Sequence, residues 1–321
     1  MKTIRLQYPH SYSKNDIPNT VLALGFFDGV HLGHQQVINT AKEIANENGF
    51  QSAVMTFDPH PSAVLSRNKN CVDYITPLNV KIDLIASLGI DILYIVEFTE
   101  EFANLLPQEF VDEYIIGLNV KHVVAGFDFS YGKLGKGTME TMPFHSRNQF
   151  TQTIINKLTT GDEKISSTRI RQTIKNGNIS ELPALLGRHY FVSGIVVDGD
   201  KRGRTIGFPT ANIELSPDYL SPPLGVYAVK IMVRGKWYIG VCNIGVKPTF
   251  KAENTIPSIE VHIINFNENI YGEMVTIEWY SRIRSEKKFS GVTELIEQIG
   301  KDKQATINYF EKINEHTCFL L

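Results

Sequence analysis

Two histidines, His31 and His34, sit three residues apart in GFFDGVHLGHQQVI (25–38), among three glycines and behind Asp28. VLAL (21–24) just upstream reads as a buried strand, and QQVINTAKEIANENG (35–49) downstream reads as a helix. A glycine-rich turn between strand and helix brings backbone N–H groups and a helix N-terminus to one point, which makes an anion site. Imidazoles there add donors that can hold a phosphate oxygen and stabilise charge on it. Small residues let a nucleotide approach closely.

A second segment fits the first. ISSTRIR (165–171) places Ser166, Ser167 and Thr168 in front of a helix, with Arg169 and Arg171 following. Hydroxyls at that position serve as N-caps, and together with the arginines they also make a clamp for a triphosphate.

The second half of the chain carries VVDGDKRGRTIGFPTANIEL (196–215), in which Gly199, Gly203 and Gly207 make a flexible loop. Backbone N–H groups of such a loop can cradle phosphates. Thr210 and Asn212 are oxygen ligands suited to a hard cation such as Mg²⁺, although PTAN also reads as a turn closing a strand. NIGVKPTF (243–250) is a second Asn/Gly/Pro loop, and SIEVHIINF (258–266) alternates as a strand with Glu260, His262 and Ile264 on one face. An acid in such a strand needs a salt bridge or a catalytic duty. No Ser or Cys stands in a convincing nucleophile setting.

These residues need elements to hold them. The first half alternates strand and helix: VLALGFF (21–27), the helix after it, QSAVMTFD (51–58), KIDLIASLG (81–89), DILYIVEF (91–98), PQEFVDEYIIGL (107–118) and VKHVVAGF (120–127). That order predicts βαβ units and a mostly parallel sheet, with ligands beyond the carboxyl ends of the strands. Three strands run into unusual polar loops, GFFDGVHLGH, TFDPHP and AGFDFSYGKLGKG, on one sheet edge. ISSTRIRQTIKNGNISELPALLG (165–187) reads as helix with an Asn-Gly break. After it, short strand-like runs separated by turn signals predict an antiparallel sandwich or barrel, closed by a helix over 292–310. The expected division is 1–186 and 187–321.

Composition sets the outer limits. A chain of 321 residues suits two domains. A net charge of −2 gives no reason to expect a nucleic-acid or membrane partner, and acids interrupt the basic run SRIRSEKK (281–288). Cys71, Cys242 and Cys318 lack zinc spacing and disulfide parity, which fits reduced thiols in a cytoplasm. The N-terminus has no apolar core for a signal peptide, and no run reaches the roughly 18–20 apolar residues of a membrane helix. The expectation is a cytoplasmic protein, monomeric or weakly self-associating.

The HxGH turn and the SSTRIR helix resemble the nucleotidyltransferases of the cytidylyltransferase-like superfamily. More narrowly, GFFDGVHLGH, TFDPHP, AGFDFSYGKLGKG and ISSTRIR look like the FMN adenylyltransferase module of bacterial bifunctional riboflavin kinase/FAD synthetases. DGDKRGRTIGFPTAN, PLGVYAV, NIGVKPTF, IEVHIINFNENIYG and RIRSEKKF resemble the riboflavin kinase module of the same family. The resemblance implies an α/β fold: a Rossmann-like domain with a mostly parallel sheet, then a small antiparallel β-barrel with a terminal helix. It implies two reactions, riboflavin to FMN in the second domain and FMN to FAD with release of pyrophosphate in the first, with ATP and Mg²⁺. An alternative is an adenylyltransferase whose second domain is inactive or only senses flavin. By the same resemblance His31 and His34 hold the ATP phosphates, Gly25, Phe26, Asp28 and Gly33 shape the nucleotide pocket, and Ser167, Thr168 and Arg169 hold the triphosphate. Asp58, His60 and Asp128 fall to the flavin nucleotide. In the second module Glu260 matches the base, and Thr210 and Asn212 the Mg·ATP ligands. Gly207, Phe208 and Pro209 match the nucleotide loop, with Asn243 nearby, and Arg284 and Phe289 lie near the flavin. The implied partners are small molecules only.

Overall fold

The computed structural model describes residues 1–65, 73–199, 203, 206–216, 218–246 and 257–318. The chain divides into two compact units, Met1–Arg169 and Ile170–Leu321. The helical stretch 170–186, which the sequence pattern assigns to the first domain, falls in the second unit.

The first unit is built on six strands: β1 (Lys2–Leu6), β2 (Thr20–Leu24), β3 (Gln51–Asp58), β4 (Ile92–Glu97), β5 (Val120–Gly126) and β6 (Thr151–Ile155). Every pairing is parallel, in the order β1-β4-β3-β2-β5-β6. A parallel sheet is covered on both faces, and its central strands read as unbroken apolar runs. β2 is buried at every position. Successive residues feed opposite cores: Leu22, Leu24, Met55 and Tyr94 pack on one face, Val21, Ala23, Val54 and Leu93 on the other. Edge strands β1 (KTIRL) and β6 (TQTII) lack such runs, and the sequence pattern does not announce them.

Helix α1 (Leu32–Asn48) buries Val37, Ile38, Ala41 and Ala45 against this sheet and ends at Gly49 in the left-handed conformation. It begins earlier than expected, because His31 is its N-cap: His31 Nδ1 accepts from the His34 backbone N–H at 3.2 Å. Helix α2 (Leu78–Ser87) follows. The chain moves from β2 outward to β3 and β4, then returns to β5 on the other side of β2. Strand order therefore reverses between β2 and β5, the position where open α/β sheets bind ligands.

The expected helix over 165–187 is three pieces: α3 (Ser167–Asn176), a 3₁₀ turn Ile179–Glu181 and a short helix Leu182–Leu186. The break lies at the predicted Asn-Gly, with Gly177 at φ 76°. Six further strands, β7 (Tyr190–Val197), β8 (Ala211–Leu215), β9 (Gly225–Val233), β10 (Lys236–Val246), β11 (Pro257–Ile263) and β12 (Met274–Ser285), form a closed antiparallel barrel in the order β7-β8-β11-β10-β9-β12. Tyr190, Val192, Ile213, Ile259, Cys242, Tyr227 and Trp279 fill the interior, with Tyr227 and Trp279 edge to face at 5.3 Å. The terminal helix α4 (Val292–Cys318) packs Phe310 against Tyr280 and Ala228 on the outside. Cys242 is a free buried thiol, while Cys71 and the side chain of Cys318 lie outside the described residues.

Candidate active sites

The turn after β2 is tightly wound. Phe27, Gly29 and Val30 all have positive φ, an unusual requirement for two residues with side chains. A Cβ on Gly25 would lie 2.9 Å from the Phe27 ring, and one on Gly33 3.2 Å from the His31 ring. Asp28 is fully buried and turns under the loop, accepting from the Thr76 N–H at 2.9 Å and the Ile75 N–H at 3.3 Å. Its duty is to brace the turn, and its carboxylate does not line the cavity above.

His31 and His34 stack ring on ring, centroids 3.5 Å apart and planes 17° apart. His34 also meets the Phe27 ring edge to face at 5.3 Å. Its Nδ1 is buried without a hydrogen-bond partner among the described residues. Burial first, then His31, Lys81 and Lys164, hold the His34 imidazole well below its usual value. Beneath the turn lies Lys81, 2% exposed. Its ammonium donates to the Phe26 carbonyl at 3.0 Å and to Thr56 Oγ1 at 3.2 Å, and sits 4.0 Å from the Phe26 ring centroid.

The histidine turn opens onto a cavity of about 840 Å³ whose lining includes Gly25, Phe26, His31, Gly33, His34, Asp128, Ser167 and Thr168. Ser167 Oγ donates to the Asp28 carbonyl at 2.9 Å, pinning the start of α3 to the histidine turn. Ser166 is the cap, accepting from the Arg169 N–H at 3.2 Å. Arg169 is engaged by the hairpin strands Thr159–Thr160 and Glu163–Lys164, with Nε 3.1 Å from the Glu163 carboxylate and Nη1 donating to the Glu163 carbonyl. That hairpin carries Lys164, whose ammonium pairs with Asp128 and lies 4.6 Å from the Phe127 ring.

Asp58 and His60 are placed differently. Asp58 lines a second cleft of about 720 Å³ with Arg5, His10, Tyr12 and Glu97. His60 packs edge-on behind Phe26 at 4.3 Å and uses Nδ1 to accept from the Ser62 N–H.

In the barrel one register row collects the expected residues. Asn212 on β8 lies opposite Glu260 on β11, Glu260 opposite Asn243 on β10, Asn243 opposite Val226 on β9, and Val226 opposite Arg284 on β12. Residues directly opposite share a face, and the neighbours Ile259, Val261, Cys242 and Ile244 fill the interior, so this row is on the outside. At the spacing of adjacent strands Glu260 and Arg284 are about 14 Å apart along it. Glu260 is half-buried and has no ion-pair partner among the described residues.

The glycine-rich segment with Gly199, Gly203 and Gly207 packs beside this row. A Cβ on Gly199 would fall 2.1 Å from the Asn212 amide, and one on Gly203 2.3 Å from the Phe208 carbonyl and 3.5 Å from Thr210 Oγ1. Gly207 has φ 84°. His262 Nδ1 donates to the Pro209 carbonyl at 2.8 Å, and its ring meets Phe208 edge to face at 5.5 Å. Residues 200–202, 204 and 205 of this loop, and KPTF (247–250) of the second, lie outside the described residues. Arg284 forks onto Asp302 of α4, Nε and Nη2 donating at 2.7–3.0 Å, and sits 5.7 Å from the Phe289 ring centroid.

Residues 13–169 match the family model described as FAD synthetase, and residues 186–310 match the one described as riboflavin kinase. The chain belongs to the bifunctional riboflavin kinase/FMN adenylyltransferase family. It is 57% identical over 316 residues to the protein of that name from Bacillus subtilis, covering 98% of this chain and 100% of that one. It is 52% identical to the Listeria monocytogenes protein (98% and 100% covered) and 33% identical to that of Escherichia coli K12 (94% and 96%). A crystal structure described as a macrolide-efflux protein from Streptococcus pneumoniae superposes with a TM-score of 0.87 at 35% identity, covering 96% of this chain and 99% of that one. Among the described residues no helix is long and apolar enough to cross a membrane.

Three residues of this family member escape sequence reading. Lys164 sits in a polar hairpin with no motif of its own. Lys81 left a signal, because it stands four residues before Ile85 on the buried face of α2. Asp302 left the same one, standing four and eight residues before the buried Thr306 and Phe310.

Proposed function

We propose that this chain phosphorylates riboflavin to FMN on the outer face of its barrel and adenylylates FMN to FAD in the cavity of its first unit. The observation that carries the reading is that each family match falls on a unit with its own constellation: stacked histidines at the sheet's switch point, and Glu260 between Asn212 and Asn243 on the barrel.

In adenylyl transfer the FMN phosphate is already a nucleophile, so alignment and charge stabilisation are what the protein supplies. A phosphate oxygen of FMN bonds to the α-phosphorus of ATP, and the bond to the bridging oxygen of pyrophosphate breaks. His31, His34 and the N-terminus of α1 hold the phosphates, and Ser167 and Thr168 face the leaving pyrophosphate. Arg169 steadies the hairpin that carries Lys164. Lys164 compensates Asp128, which otherwise repels the FMN phosphate.

In phosphoryl transfer the nucleophile is an alcohol. Glu260 takes the proton of the ribityl 5′-hydroxyl while that oxygen bonds to the γ-phosphorus and ADP leaves. Thr210 hydroxyl and Asn212 carbonyl oxygens are hard donors that would hold Mg²⁺. Such an ion neutralises charge on the transferred phosphoryl group. The domain assignment proposed is 1–186 for adenylyl transfer and 187–321 for the kinase.

Chromatography of products formed from riboflavin, ATP and magnesium over time tests the scheme. FMN first and FAD after it is the expected order. FAD from supplied FMN but no FMN from riboflavin would remove the kinase half.

A further inference from the structure

We propose that Lys81 is a positioning residue for adenylyl transfer, holding the carbonyl and the ring of Phe26 and thereby setting the turn that presents His31 and His34. The inference rests on the reading of that turn as the phosphate cradle.

Burying an ammonium is costly unless its protons are taken. Lys81 is 2% exposed, on a helix face otherwise committed to the apolar core. Its two hydrogen bonds, to the Phe26 carbonyl and to Thr56 Oγ1, end at one place, because Thr56 Oγ1 itself donates to the Phe26 carbonyl at 2.8 Å. Two donors therefore converge on one carbonyl at the start of the turn. The same ammonium also faces the Phe26 ring, which His60 buttresses from its edge. Phe26 lines the cavity and Lys81 does not. Lys81 thus acts on the site through Phe26, from below.

The surroundings explain why a cation is used. Asp28 and Asp58 both pull on Lys81, offsetting the burial that lowers its pKa to about 8. Asp28 is also the acid that ties the far side of the turn to Thr76. Lys81 through Phe26 and Asp28 through Thr76 hold the turn from two sides, and that turn contains the positive-φ residues Phe27, Gly29 and Val30. Preorganisation of this kind is spent at the transition state, so its loss appears in kcat.

The test uses the full chain, in which FMN formation is an internal control. Lys81→Met is expected to lower kcat for FAD formation from saturating FMN and ATP at least tenfold, with KM for ATP and the rate of FMN formation within twofold of wild type. Thr56→Val removes the other donor on the same carbonyl and keeps the charge, and is expected to lower that kcat at least threefold. The double variant is expected to lose less than the product of the two, because both act on one carbonyl. Calorimetry reports whether the first unit of Lys81→Met is folded. If it is folded and its kcat for FAD formation lies within twofold of wild type, the proposal fails. If it is unfolded, a Thr56→Val enzyme with unchanged kcat overturns it instead. His31→Ala with His34→Ala separates the two layers: unchanged FAD formation there defeats the cradle reading itself, whereas loss there beside an unaffected Lys81→Met defeats only this inference.

Discussion

His31 stacks on His34 with ring centroids 3.5 Å apart, and burial first, then this neighbour, disfavour a charge on His34. Two imidazolium rings at this distance repel each other, and Lys81 and Lys164 add to the repulsion at His34. Burial acts in the same direction. His34 is accordingly neutral at neutral pH.

That lowered pKa has a consequence for stability. An unfolded histidine titrates near 6.5, and native His34 takes its proton only at lower pH. Between those values the unfolded chain binds more protons, so stability falls as pH drops below about 6.5. His122, His189 and His262 are lowered too and contribute with the same sign. Scanning calorimetry between pH 7.5 and 5.5 is expected to show a shallower loss for His34→Gln than for wild type. Equal slopes would mean that His34 charges freely in the folded protein.

The histidine turn was legible in the sequence because it is local: strand, glycines and helix are contiguous, and so is the SSTRIR cap. The central strands were legible because burial on both faces leaves an unbroken apolar run. What escaped is long-range or half-buried. β1 (KTIRL) and β6 (TQTII) are edge strands whose polar residues leave no unbroken apolar run. Asp58 and His60 lie beside the right motif, yet one faces a second cleft and the other packs behind Phe26. Asp128 and Lys164 are 36 residues apart and meet only through folding. The row from Asn212 to Arg284 depends on strand register, which no single segment encodes.

The Asp128–Lys164 pair predicts a charge-compensation effect. Removing the cation with Lys164→Met leaves a carboxylate facing the incoming FMN phosphate. KM for FMN in FAD formation is expected to rise about tenfold. Asp128→Asn in the same chain removes the repulsion and is expected to recover most of that loss. If single and double variants share one KM, Lys164 serves the site in some way other than by shielding Asp128.

Arg284 and Asp302 predict a structural role for the terminal helix. The Asp302 carboxylate is 4% exposed and also accepts from Gln298 at 2.9 Å. Asp302→Ala leaves the guanidinium of Arg284 without its fork, and breaking a buried pair in this way costs about 3 kcal/mol. Urea unfolding is expected to show that loss in the second unit. KM for riboflavin should rise with it as Arg284 loses its orientation, while FAD formation from supplied FMN stays unchanged. An unaltered urea midpoint would show that α4 is held by its apolar face alone.

Glu260 has two possible explanations, a structural ion pair or a proton acceptor. No cation pairs with it among the described residues, and its register neighbours are two amides, Asn212 and Asn243. Glu260→Gln keeps the size and the hydrogen-bonding capacity of the side chain and removes only the base. FMN formation is expected to fall about 10²–10⁴-fold, with the barrel's unfolding midpoint unchanged and supplied FMN still converted to FAD. Glu260→Asp retains the carboxylate one methylene short and should fall between the two. A Gln variant as fast as wild type would mean that the riboflavin hydroxyl gives up its proton elsewhere, and that the row across β8, β11 and β10 binds nucleotide without taking part in the proton transfer.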